Sequence, residues 1–159
     1  MINIDKNLIQ QLTDRIQAGQ DKELRAWASD LHATDIAEIL DQMRLESASY
    51  LYRLLDTEVK ADVLIELDED QRADLLSGMT AQEIAGGVMG QLDSDDATDV
   101  LSELHPIKAE EVIGHLENDE RASDIRDLLN YEEGTAGAMM AKELVKVQAE
   151  WTVTRAIRE

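Results

Sequence analysis

The sequence predicts an all-α domain, a solenoid of short stacked helices, from its composition and from a repeated apolar pattern. Its 159 residues include one proline, eight glycines, two Trp, three Tyr and no Phe. The core must therefore consist of Leu, Ile, Val, Met and Ala, which pack well between helices, and several of these are good helix formers. Apolar side chains also recur at steps of 12 or 13 residues, which favours a repeat architecture over an irregular bundle.

The repeat is visible in the last apolar residue of each predicted helix. These marker residues are Leu31, Met43, Leu55, Leu67, Met79, Leu92, Leu104, Leu116 and Leu129. From Met43 to Leu116, the residues three and four positions before each marker are apolar too. This spacing places three side chains on one helical stripe. Helices of about nine residues are unstable alone, so the stripes are expected to pack against neighbouring helices.

Polar junctions separate the stripes and supply residues that can begin a helix. Asp, Ser or Thr, which are good N-cap residues, stand at 56–57, 68–70, 80–82 and 93–96. Pro106 suits a first helical turn. Gly86 and Gly87 lie inside one unit and weaken its helix, and we expect them to permit close packing between helices.

The two ends of the chain depart from the repeat. Residues 1–30 are expected to form one or two helices that cap the N-terminal end of a solenoid at 31–130. A Gly-punctuated linker then precedes a β-like run at 144–147 and a helix start near Trp151, with Thr152 as its cap. A strand followed by a helix is typical of an α/β domain, so we expect 131–159 to be a linker and the start of a second domain that the sequence does not complete.

The charge of the chain excludes several functions. The net charge is −20, from 35 acidic and 15 basic residues, and residues 93–133 alone hold 14 acidic and 3 basic side chains. Such a surface repels nucleic acids and anionic lipids, and it attracts metal cations or basic proteins. Without cysteine there are no thiolate sites or disulfides. No apolar run approaches the roughly 18 residues of a membrane span, so direct membrane insertion is not expected.

No catalytic arrangement stands out in the sequence. It has no Gly-rich phosphate-binding loop and no paired Ser/His or Cys/His motif, and its three histidines are scattered without a second ligand at metal spacing. We therefore do not expect an enzyme.

The strongest candidate site is the acidic run that contains Asp93, Asp95, Asp96 and Asp99. Asp95 and Asp99 are four residues apart and can share one face of a helix, where their repulsion would be relieved by a divalent cation. The same carboxylates could equally serve to cap the helix and complement its dipole. An EF-hand is excluded, because Thr98 stands where the loop glycine is needed.

Three segments resemble the cytosolic N-terminal domain of MgtE-type magnesium transporters. Two of them, LHATDIAEIL at 31–40 and LDSDDATDVL at 92–101, resemble helical repeats of that domain. The third, YEEGTAGAMM at 131–140, is similar to the junction through which the family passes from the solenoid to a pair of CBS domains. LVKV at 144–147 and WTVTRAI at 151–157 resemble the opening of a CBS domain.

The resemblance implies a right-handed superhelical solenoid that serves as the regulatory, magnesium-sensing domain of a homodimeric channel, on the cytoplasmic side of a bacterial inner membrane. In the family, Mg²⁺ bridges this domain to the CBS domains and to a helix leading to the pore, and high magnesium favours closure. Asp95 and Asp99 match acidic cation-contacting positions, and Asp62 matches a third. Asp96 is expected to be the charged neighbour that caps the helix.

A second class of function stays open at the level of sequence. Helical repeats commonly act as docking scaffolds, and the family's helical domain also resembles the middle part of a flagellar motor switch protein. In that alternative the acidic surface recognises a basic protein and metal binding is incidental.

Overall fold

The computed structural model describes residues 4–132, 134–143, 148 and 151–156, and the regular structure in this part is entirely helical. The helices are α1 (Lys6–Gln17), α2 (Asp21–Ala28), α3 (Ala33–Asp41), α4 (Leu45–Leu54), α5 (Thr57–Glu66), α6 (Glu69–Ser77), α7 (Ala81–Ile84), α8 (Ser94–Ser102), α9 (Pro106–Gly114), α10 (Asp119–Leu128) and α11 (Val153–Ala156). The all-α prediction is confirmed for these residues. The β-like run at 144–147 lies outside them.

Several helices pack against the helix that lies two positions further along the chain. Contacts join α2 to α4 and α4 to α6, and α8 to α10, while α3 packs on α5 and α7 on α9. Consecutive helices also touch, as in α3 with α4 and α9 with α10. The apolar stripes of these short helices are therefore covered by neighbouring helices, which is how a repeat protein stabilises units that could not persist alone.

The paired apolar positions of the predicted stripes form the core. Their exposed fractions are 2% or less in the successive pairs Ile39/Leu40, Leu51/Tyr52, Val63/Leu64, Leu75/Leu76, Val88/Met89, Val100/Leu101 and Val112/Ile113. Full burial of such a side chain contributes about 1.5–3 kcal/mol relative to exposure. The sequence pattern thus identifies the interior of the domain correctly.

The marker residues that define the repeat lie slightly later than expected. Met43 and Met79 stand two residues beyond the ends of α3 and α6, and Leu55 is the C-cap of α4. In each case the marker's N–H bonds to the carbonyl three residues earlier, at 3.1 Å, which closes the last turn tightly. The markers are therefore the apolar residues of the closing turns, and their burial anchors the junctions between helices.

Helix starts follow the predicted chemistry only in part. Thr80 forms a full capping box with Glu83 at the start of α7, and Pro106 is the first residue of α9. Asp56 and Asp68 stand at N-cap positions, but their side chains make no capping hydrogen bond. Placement of the junctions is thus more predictable than the bonds formed there.

The unit that contains Gly86 and Gly87 is not a regular α-helix. After α7 the chain continues as a π-helical segment, Ala85–Met89. A Cβ atom added at either glycine would meet nothing within 4 Å, so the expected role in close packing is wrong. Glycine disfavours an α-helix because its unfolded backbone is freer, and that weakness coincides with the departure from α-geometry.

Beyond α10 the chain turns back along the helices it has just left. The Lys142 ammonium lies 3.1 Å from a carboxylate oxygen of Asp127 on α10, and the Glu143 carboxylate bonds to Ser94 on α8. Further on, Thr152 Oγ1 accepts a 3.4 Å hydrogen bond from the Arg155 N–H at the start of α11, as predicted for a cap. Every helix in the described ranges is too short or too polar to cross a membrane.

Candidate cation site on helix α8

The acidic residues singled out in the sequence lie on two helices. Asp95, Asp96 and Asp99 all belong to α8, where Asp95 and Asp96 are half-buried and Asp99 is exposed. Asp62 is exposed on α5. Within the described ranges no three acidic or histidine side chains are arranged to hold a metal ion. Three of the four predicted ligands thus share α8, and the fourth lies on a different helix.

Asp95 is the most unusual of these carboxylates. Its Oδ1 atom is buried, and no hydrogen bond reaches it from the described protein atoms. A buried carboxylate oxygen without a partner is costly, because water no longer solvates it and no donor replaces the water. Carboxylate oxygens are the donors that a hard cation such as Mg²⁺ prefers, so a cation that reached Asp95 would supply the missing partner.

The charges on α8 repel one another. Burial, followed by the negative charges of Asp95, Asp93 and Asp99, raises the pKa of Asp96 above its ordinary value, while the Arg72 guanidinium opposes the shift. Ionised Asp96 is therefore under electrostatic strain at neutral pH. A bound cation would relieve that strain, since it lowers the energy of the ionised carboxylates.

Asp96 does not have the capping role expected for it. It lies within the first turn of α8, and the N-cap residue, Asp93, makes no side-chain capping bond either. The carboxylate of Glu143 takes that place: its Oε1 accepts from the Ser94 N–H at 2.9 Å and its Oε2 accepts from the Ser94 hydroxyl at 2.8 Å. A carboxylate that arrives from 49 residues away thus satisfies the start of α8.

A cleft of about 430 Å³ opens beside α8 and is bordered by the chain that follows α10. Asp99, Arg72 and Glu103 line it from the helices, and Tyr131 and Met139 line it from the junction. Arg72 and Glu103 are joined by two hydrogen bonds, Nε to Oε2 at 2.8 Å and Nη2 to Oε1 at 2.6 Å. This ion pair joins α6 to Glu103, the C-cap of α8, and keeps a positive charge close to the acidic cluster.

Sequence reasoning missed the residues that hold this region together. Arg72, Glu103 and Glu143 were not predicted, and Ser94 was predicted only as one of the possible capping residues at 93–96, because each partner is at least 31 residues away along the chain. The one signal available was the scarcity of basic residues, since a lone Arg in a strongly acidic segment has many possible partners. Which carboxylate it selects depends on how the helices stack.

The fold and the cluster on α8 define the chain as a helical-repeat domain with an acidic, cation-attracting surface. The family model for the MgtE intracellular N domain matches residues 31–134. The chain belongs to this family, as its resemblance to MgtE-type transporters indicated. The family is one of transporter domains rather than of enzymes. A search among curated proteins found no match.

Two solved structures are similar to the chain over most of its length. One is the soluble part of a magnesium transporter, with 26% identity and a TM-score of 0.79 over 96% of this chain and 60% of that one. The other is the cytosolic domain of the Mg²⁺ channel MgtE in complex with ATP, with 24% identity and a TM-score of 0.80 over 94% of this chain and 61% of that one. The chain therefore spans about three fifths of each. The second likeness supports the fold alone.

Proposed function

We propose that this chain is the magnesium-sensing regulatory domain of a magnesium transporter or channel. The observation that carries the proposal is the buried Oδ1 of Asp95, which lacks a hydrogen-bond partner within the described structure and lies on the same helix as Asp96 and Asp99. Family membership and the likeness to the soluble part of a magnesium transporter support it. Asp95 and Asp99 are the proposed ligands, and Asp62 on α5 is a further proposed contact. The charge of Asp96 adds to the negative potential that attracts the cation.

The mechanism is electrostatic. At low Mg²⁺ the net charge of −20 repels acidic surfaces on partner domains, and at high Mg²⁺ the ion bridges carboxylates on both sides and brings the domains together. The ion therefore stabilises one of two arrangements, which is how a sensor is coupled to a gate. In this proposal the partners are CBS domains and the helix that leads to a pore, and the docked arrangement favours closure.

The wider assignment follows from the same family. We propose capping helices at 1–30, a right-handed solenoid at 31–130, and a linker with the start of a CBS domain at 131–159. The complete protein would be a homodimer, with this domain on the cytoplasmic side of a bacterial inner membrane. The family match favours this function over a motor-switch scaffold.

A magnesium titration of the 159-residue chain, followed by NMR, tests the site directly. When the Mg²⁺ concentration equals the dissociation constant, binding stabilises the fold by only about 0.4 kcal/mol, so chemical shifts are a better measure than melting temperature. We expect saturable shifts at Asp95 and Asp99 beyond those caused by NaCl of equal ionic strength. Asp95→Asn and Asp99→Asn should abolish them, whereas Asp74→Asn, an exposed change on α6, should not.

The same variants test the function in a complete channel. The double variant Asp95→Asn/Asp99→Asn should keep the pore open at high magnesium, because the bridging ligands are gone. The Asp74→Asn channel should close as the parent does. The assignment of these two residues is refuted if the double-variant channel closes normally at high magnesium and if neither substitution alters the Mg²⁺-induced shifts of the isolated chain.

A further inference from the structure

Residues 134–143, which leave the solenoid and are called the exit segment, are attached to the same helix that carries the proposed metal ligands. Ser94, the first residue of α8, is 1% exposed, and its N–H and hydroxyl both donate to the Glu143 carboxylate. The Ser94 hydroxyl oxygen also accepts a 2.8 Å hydrogen bond from the Lys142 N–H. A buried serine is thus fully satisfied by two consecutive residues of the exit segment.

Two basic side chains reinforce this attachment. The Arg121 guanidinium on α10 lies 3.6 Å from Glu143 Oε1, and it also donates to the carbonyls of Met89 and Leu92, which precede α8. Lys142 lies 3.1 Å from Asp127 on α10. The exit segment is therefore fixed to α8 and α10 together by side chains from both.

The environment of Glu143 favours its ionised form. Partial burial acts to raise the pKa of its carboxyl group, but the hydrogen bonds from Ser94 and from the backbone N–H of Glu143 itself, together with the positive charge of Arg121, outweigh burial and leave the pKa lowered. The positive end of the α8 dipole acts in the same direction. At neutral pH Glu143 is thus an ionised cap on α8.

From this geometry we infer that Glu143 is a positioning residue that couples α8, the helix with the proposed metal ligands, to the exit segment. Ser94 precedes Asp95 directly and lies about 7.5 Å along the helix axis from Asp99. Because a short helix moves as a rigid unit, a cation that draws in Asp95 and Asp99 also moves Ser94, and the exit segment follows. The coupling to metal rests on the proposed function, whereas the attachment itself does not.

The attachment is tested without metal on the whole chain. Glu143→Gln offers one acceptor oxygen where the Ser94 N–H and hydroxyl need two, so amide exchange at Ser94 and Lys142 should accelerate about tenfold. Glu111→Gln, which removes the same charge from an exposed position on α9, should leave both rates unchanged. Equal rates in Glu143→Gln and the parent chain would overturn the attachment.

A pH titration separates positioning from a general loss of stability. In the parent chain, the Lys142 amide resonance should titrate with Glu143 at a pH below the ordinary glutamate value of 4.5, and in Glu143→Gln this transition should be absent. Glu143→Asp, which keeps the charge on a shorter side chain, should restore the transition. A Lys142 amide that titrates identically in the Gln variant refutes the role of Glu143.

Magnesium then tests the coupling. Added Mg²⁺ should slow exchange at the Lys142 amide in the parent chain, and it should have no such effect in Glu143→Gln, even though Asp95 and Asp99 still shift. Shifts at both aspartates with unchanged Lys142 exchange in the parent would overturn the coupling and leave the proposed function intact. If no shifts occur at the aspartates, the proposed function fails and the coupling fails with it, while the attachment is judged by the metal-free comparison.

Discussion

The ion pair between Arg72 and Glu103 offers the sharpest test of how this fold is held together. The two side chains are 14% and 12% exposed, and their two hydrogen bonds join α6 to α8. Arg72 Nη1 also donates to the carbonyl of Leu64 at 3.2 Å. Glu103→Gln would leave the guanidinium largely buried without its counter-charge.

The expected loss can be set against an exposed pair in the same protein. Removing one partner of a buried pair costs about 3–5 kcal/mol, and the residual exposure of Arg72 and Glu103 reduces this to about 2–3 kcal/mol. Arg126 and Glu110 form a pair at 2.8 Å, but their side chains are 45% and 64% exposed. Glu110→Gln removes the same charge and should cost less than about 1 kcal/mol.

Urea denaturation at neutral pH measures both losses, and a double-variant cycle with Arg72→Met isolates the interaction energy. We expect a coupling of about 1.5–3 kcal/mol for Arg72 with Glu103, because their hydrogen bonds are charge-assisted and shielded from water. Equal losses for Glu103→Gln and Glu110→Gln would refute the reasoning. A change in the urea m-value would show instead that the variant exposes a different surface on unfolding, as expected if α8 no longer packs on α6.

Three further outcomes follow from the same structure. Gly86→Ala should raise the free energy of unfolding by about 0.5–1 kcal/mol, because the added Cβ meets open space and the unfolded chain loses conformational freedom. A urea midpoint below that of the parent would contradict this. Tyr52→Phe should cost about 1 kcal/mol, since the buried hydroxyl donates to the Lys60 carbonyl at 3.0 Å; thermal unfolding of the two chains checks it. Asp96→Asn should stabilise the protein at pH 7, because the raised pKa of Asp96 means that its ionised form destabilises the fold there. That gain should disappear below pH 3.8, where Asp96 is protonated in both the folded and the unfolded chain; a gain that persists at low pH would have another cause.

The sequence is most informative where the physics is local. Apolar residues one turn apart, such as Val63 with Leu67, predict a buried stripe because side chains at that spacing share a helix face whatever surrounds them. Both are 5% exposed or less in the structure. The position of Thr80 before Glu83 is likewise enough for a capping box, since both bonds are formed within one turn.

Predictions from sequence were weaker where the outcome depends on a distant partner. Asp93 has the chemistry of a helix cap, but Glu143 occupies the N-terminus of α8 instead. The irregular turn at Gly86 and Gly87 illustrates the other failure: glycine lowers the helix propensity, but propensity alone does not distinguish a π-helical segment from tight packing. The resemblance implied cation contacts for Asp62, Asp95 and Asp99, with Asp96 as their charged neighbour, and magnesium binding by these residues stays a prediction.

By itself the sequence determined the all-helical class, the twelve-residue spacing, the buried face of each helix and the family, because composition and periodicity act through interactions within one or two turns. Only the tertiary structure decided which carboxylates gather on a common surface, that Asp95 keeps a buried oxygen without a partner among the described residues, and that the exit segment is attached to α8. These features arise from contacts across 31 to 49 residues. Their energies depend on burial and on the distance between charges, and both are set only when the helices stack.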